Sequence, residues 1–153
     1  MSRLSSIAPP ETILVVDDNS AVLRLVSLIL KEAGFIVFSA ASPEEAIQIS
    51  LQFAGTIHLL LTDVMMPGMS GPDLANTLIE QRNTLRVMMM TGYPGGDLLL
   101  LNDGWHVIPK PFVVAALCEK VNDVLHSPDR SQGADHFDTR SVATRNRTPT
   151  GCE

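Results

Sequence analysis

The sequence predicts an α/β fold, a doubly wound sheet of five parallel strands covered by helices on both faces. Two observations carry this. Five short apolar runs alternate with stretches of helical period, and each run is almost continuously apolar, as strands buried on both faces require. Helix punctuation (caps, a proline at a first position, a terminal glycine) falls between the runs.

Each element follows in order. Residues 1–10 are polar and proline-bearing, a flexible lead. "TILVVDD" is β-branched and apolar, a buried strand ending at Asp17. "NSAVLRLVSLILKEAG" carries Asn19 or Ser20 as its start and Gly34 as its stop, with Val22, Leu25, Val26, Ile29 and Leu30 on one helical face. "FIVFSA" is the second strand. Ser42-Pro43-Glu44-Glu45 opens the next helix with a cap, a first-position proline and a glutamate three residues on, and the helix runs to about Phe53. "TIHLLLTD" is the third strand, about Pro72 to Arg82 the third helix, "LRVMMMTG" the fourth strand. "GYPGGDLLLLND" leaves room for only a shortened fourth helix. "WHVIPKPF" gives a short fifth strand, and Val113 to His126 the last helix. Residues 127–153 have almost no apolar side chains and no period, so they are expected to stay disordered.

Composition removes several classes. No apolar run reaches the 18 or so residues that span a bilayer, and the start lacks the apolar centre of a secretory signal, so a cytoplasmic protein is expected. Residues 1–126 hold 7 Lys and Arg against 13 Asp and Glu, which is the whole net charge of −6. A nucleic-acid binder needs a basic face to neutralise phosphates, and none is present. The two cysteines form no ligand spacing or disulfide framework.

Ligands of open parallel sheets bind beyond the carboxyl ends of the strands. Those ends carry Asp17 and Asp18 after the first strand, Asp63 after the third, Thr91 after the fourth and Lys110 after the fifth. Singly, each has a plain structural reading: the aspartates can cap turns and helices, and a lysine before proline is usually solvated. Together they form a cleft of three acids, a hydroxyl and an amine. Converging carboxylates raise one another's pKa unless a cation intervenes, and a hard divalent ion such as Mg²⁺ suits oxygen donors. A carboxylate nucleophile beside a metal, a lysine and a hydroxyl describes a phosphoryl-transfer centre.

Through "ILVVDDN", "LLLTDVMMPGMSG", "VMMMTGY" and "PKPF", residues 11–126 resemble the receiver domain of two-component response regulators, of flavodoxin-like (CheY-like) fold. The resemblance implies a stand-alone regulator, with Asp63 accepting a phosphoryl group from a histidine kinase or histidine phosphotransfer protein. It implies Mg²⁺ on Asp18, Asp63 and the Met65 backbone carbonyl, with Asp17 acting mainly through water. Thr91 and Lys110 would each hold a phosphoryl oxygen, and a cis bond between Lys110 and Pro111 is common in this family. Such a chain is a signalling protein that catalyses its own phosphorylation and dephosphorylation and signals by protein contacts. One departure stands out. The position three before the lysine, usually an aromatic that swings inward, is Val107, and Tyr93 and Trp105 are the nearby candidates to replace it. Two other readings compete: a Mg²⁺-dependent aspartyl-phosphate phosphohydrolase, which wants D-x-D after the first strand where this chain has "DDNS", and a receiver-like interaction module that is never phosphorylated. Neither G-x-x-x-x-G-K-[ST] nor G-x-G-x-x-G occurs.

Overall fold

A computed structural model describes residues 9–92 and 104–127. The expected lead (1–10) lies almost wholly outside the described residues, and the shortened fourth helix, Tyr93 and the expected tail beyond Ser127 lie wholly outside them. Strands β1 (Thr12–Val16), β2 (Ile36–Ala40), β3 (Leu59–Asp63), β4 (Arg86–Thr91) and β5 (His106–Pro109) form one sheet in the order β2-β1-β3-β4-β5, every pair parallel. Helices α1 (Ser20–Glu32), α2 (Pro43–Gln52), α3 (Gly71–Gln81) and α4 (Val114–His126) connect and follow them. Among the described residues no helix is long and apolar enough to cross a membrane.

The near-continuous apolar strands feed two cores because side chains alternate across the sheet. Leu14 and Val16 of β1, Leu60 of β3, Val87 and Met89 of β4 and Val107 of β5 point to one face, against Ala46 of α2 and Leu74 and Leu78 of α3. Ile13, Val15, Leu59, Leu61, Met88, Met90 and Ile108 point to the other, against Val26 and Leu30 of α1 and Leu117 and Val121 of α4. Trp105 is also buried in the first core, 4% exposed. It is therefore a packing residue and not a ring ready to swing in place of the missing aromatic.

The helix ends follow their punctuation. The Asn19 side chain accepts the Ala21 and Val22 N–H groups, and Gly34 takes φ +103° just after α1. Ser42 accepts the Glu45 N–H while the Glu45 carboxylate reaches back to the Ala41 N–H. The apolar runs overshoot β3, which begins at Leu59 and not Thr56, because Ile57 and His58 precede the ladder with β4. α2 ends on a device that sequence period does not show. The Arg82 guanidinium, at the end of α3, donates to the carbonyls of Ser50 (2.8 Å), Phe53 (2.6 Å) and Gly55 (2.7 Å) and to the Ser50 hydroxyl (2.9 Å). The Ser50 and Phe53 carbonyls lie at the end of α2, where acceptors lack intrahelical partners and a cation is favoured, and Gly55 is in the loop just beyond. Arg82→Met should leave several of them unmet, costing about 2–3 kcal/mol, or roughly 8–12 °C in Tm. A thermal melt showing less than about 3 °C of loss would mean water replaces the guanidinium freely.

Candidate active site

The cleft forms where β1, β3, β4 and β5 all end at one edge. β1 stops at Val16, so the chain turns at Asp17, whose side chain is fully buried. Its two oxygens are both engaged: Oδ1 accepts the Asn19 N–H at 2.9 Å and Oδ2 faces Lys110 Nζ at 3.1 Å. Asp63 closes β3. Its Oδ1 accepts the Val64 N–H at 3.0 Å and lies 3.2 Å from the same Lys110 Nζ. Asp18 is exposed at the rim, and oxygens of Asp17, Asp18 and Asp63 lie within 4.8 Å of one another. Thr91 is buried at the end of β4, and its carbonyl accepts the Lys110 N–H at 2.6 Å, which ties the fourth and fifth strand ends together. The Lys110–Pro111 bond is cis. Met65 follows Asp63 in the loop with its side chain exposed.

All the acids, the threonine and the lysine singled out in the sequence therefore sit at one edge, but Lys110 does not stand apart awaiting an anion. Its ammonium bridges two carboxylates from strands far apart in the chain, and this is the cation that lets them approach. The compensation is incomplete. Burial, then the neighbouring Asp17 carboxylate, push the Asp63 carboxyl above its ordinary pKa, although Lys110 and the Val64 N–H pull the other way. Burial pulls Lys110 down, yet its contacts with Asp17 and Asp63 outweigh this and leave its pKa above the usual lysine value. The site thus holds more negative charge than one lysine balances.

A divalent ion fits that excess. The donors are hard oxygens gathered within 4.8 Å of one another, the chemistry that suits a small divalent cation such as Mg²⁺.

Two residues of the site carried no signal in the strand and helix pattern. The Thr62 hydroxyl donates to the Asp63 carbonyl at 2.9 Å, and Gly71 lies so close to that carbonyl that a Cβ would collide with it. The loop after Asp63 needs its other glycine for a different reason: Gly68 has φ +86°, a conformation that side chains disfavour.

The site is thus a cluster of three carboxylates, a lysine and a threonine at the carboxyl edge of a parallel sheet, where such folds bind their ligands. Residues 13–122 match the family of response regulator receiver domains, and the chain belongs to it. The chemotaxis protein CheY of Pseudomonas aeruginosa is 30% identical over 118 residues, covering 74% of this chain and 94% of that protein. The crystal structure of the receiver domain from the hybrid histidine kinase CckA is 36% identical, with a TM-score of 0.65 over 75% of this chain and 99% of that one. The response regulator TrrA of Thermotoga maritima, solved with Mg²⁺ and BeF, is 28% identical, with a TM-score of 0.63 over 74% of this chain and 98% of that one. Other curated relatives are much longer, and the chain spans only 14%, 23% and 28% of three of them. The chain is thus a receiver domain of two-component signal transduction.

Proposed function

We propose that Asp63 is the phosphoacceptor of a cytoplasmic response regulator, charged by a histidine kinase or a histidine phosphotransfer protein. The observation that carries this reading is the Asp63 carboxylate, 13% exposed at a strand end and held at 3.2 Å from the Lys110 ammonium. In the transfer, an Asp63 carboxylate oxygen attacks the phosphorus of a phosphohistidine. An O–P bond forms as the N–P bond breaks, and the bonding electrons return to the imidazole nitrogen, which takes up a proton.

Each residue then has a defined task. The Val64 N–H fixes one carboxylate oxygen so that the other presents to the donor. Lys110 stabilises negative charge gathering on the transferred group, and the Thr91 hydroxyl donates to a second phosphoryl oxygen. Asp18, Asp63 and the Met65 carbonyl would hold Mg²⁺, with Asp17 reaching it mainly through water. The bound ion would offset the mutual repulsion of the carboxylates and neutralise phosphoryl oxygens. The same site would hydrolyse its own aspartyl phosphate, which makes the signal transient. Output passes to a partner protein by contact.

Intact mass after treatment with a small phosphodonor and Mg²⁺ tests the reading: one phosphoryl group is expected. A chain that turns over unrelated phosphate esters and never retains the group would be a hydrolase instead. The metal has its own test. Mg²⁺ at ten times its Kd should stabilise the fold by about 1.4 kcal/mol, roughly 4–7 °C. Asp18→Ala should need far more Mg²⁺ for the same rise, and an unchanged titration would remove Asp18 from the metal site.

A further inference from the structure

We propose that Thr62 is a positioning residue for the phosphoacceptor, acting through the peptide unit between Asp63 and Val64; this rests on Asp63 being the acceptor. Thr62 is fully buried in a strand whose preceding residues are all leucine, where an aliphatic side chain would bury more apolar surface. Its hydroxyl instead donates to the Asp63 carbonyl at 2.9 Å. That carbonyl is also crowded by Gly71, where a Cβ would come within 3.1 Å of the Val64 Cα and the Met89 Sδ as well. The N–H of the same peptide unit donates to the Met90 carbonyl at 3.2 Å and to Asp63 Oδ1 at 3.0 Å. The Gly71 N–H closes the following loop onto the Val64 carbonyl at 2.8 Å.

One rigid plane therefore connects a buried hydroxyl to the reacting carboxylate. A peptide unit is planar, so turning its carbonyl turns its N–H by the same angle. Removing the Thr62 donor frees the carbonyl to tilt, which swings the Val64 N–H away from Asp63 Oδ1 and loosens the aim of the free carboxylate oxygen. In-line attack on phosphorus is sensitive to such aim, since small misplacements of a reacting group cost large factors in rate.

Thr62→Val keeps the shape and deletes the donor, and Thr62→Ser keeps the donor. With a small phosphodonor and saturating Mg²⁺, the maximal phosphorylation rate of the valine variant should fall about five- to twentyfold, with little change in the donor concentration for half-maximal rate. The serine variant should stay within about twofold of wild type, and the Val64 amide resonance should shift in the valine variant alone. A hydroxyl that merely satisfies a buried carbonyl would change the melting temperature and leave the rate alone. A valine variant within twofold of the wild-type rate, or a serine variant as slow as valine, would overturn the proposal. A wild-type chain that accepts no phosphoryl group at Asp63 would instead defeat the reading beneath it.

Discussion

An Asp63→Asn chain is expected to take up no phosphoryl group under conditions that label the wild type fully, a loss of at least about 100-fold in rate. The amide nitrogen and carbonyl of Asn match the carboxylate in size, so the Val64 N–H keeps an acceptor, but no anionic oxygen is left to attack phosphorus. The same substitution should raise the melting temperature in the absence of Mg²⁺. The sign comes from the raised pKa of Asp63: the fold holds its carboxyl proton more tightly than the unfolded chain does. Stability is therefore lost as pH rises from the unfolded carboxylate value through the folded one, and the ionised form carries that penalty at neutral pH. Asn never ionises and escapes it. The stability gap between variant and wild type should open across that window and then level. Intact mass checks the first outcome and melts between pH 4 and 8 the second. Equal labelling of the Asn variant would remove Asp63 as the acceptor, and a lower Tm at pH 7 would mean that the Lys110 contact outweighs burial and repulsion.

The parts of this molecule that could be read from its sequence are those set by local pattern. "TILVV" and "LLLTD" declare strands buried on both faces, and Ser42-Pro43 with Glu45 declares a helix start that forms with the expected cap. Chain order then places Asp17, Asp18, Asp63, Thr91 and Lys110 at strand ends, and a parallel sheet has only one carboxyl edge to gather them. What stayed hidden depends on reach across the chain. Lys110 meets Asp17 93 residues away, and no spacing rule foretells which of several acids a flexible lysine will bridge. Arg82 reads as an ordinary surface residue until the end of α2 is seen beside it. Thr62 reads as a strand-former, and only the position of the Asp63 carbonyl shows its donor role. Trp105 drew notice as an aromatic beside the unusual Val107, yet both are buried in one core, so position in the sequence said nothing about freedom to move. Tyr93, the other candidate for that role, lies outside the described residues.

Lys110→Met should be the most destabilising change in the cleft. Methionine keeps much of the aliphatic stem, so the loss falls on the charge. The Asp17 carboxylate, fully buried, would keep only the Asn19 N–H, and Asp63 would face it with nothing between. Removing one partner of a buried ion pair costs about 3–5 kcal/mol; Lys110 is 21% exposed, so about 2 kcal/mol is expected here, roughly 6–10 °C at pH 7.5 without Mg²⁺. The lysine itself does not titrate in the range of interest. Its folded pKa is raised, so its contribution is fully present below the unfolded lysine value and fades only as pH climbs through the folded one. Asp63 decides the pH dependence instead. Lys110 lowers the pKa of Asp63, so without it that pKa rises further, and stability is lost more steeply as pH increases from the unfolded carboxylate value toward neutrality. The Tm deficit of the variant should therefore be small near pH 4 and grow to its full size by pH 7. Mg²⁺ held by these acids would return positive charge to the cleft, so it should raise the Tm of Lys110→Met by more than that of the wild type. A deficit independent of pH and untouched by Mg²⁺ would show that Lys110 supports the cleft through its stem alone, and the electrostatic account of how three carboxylates share one strand edge would fail.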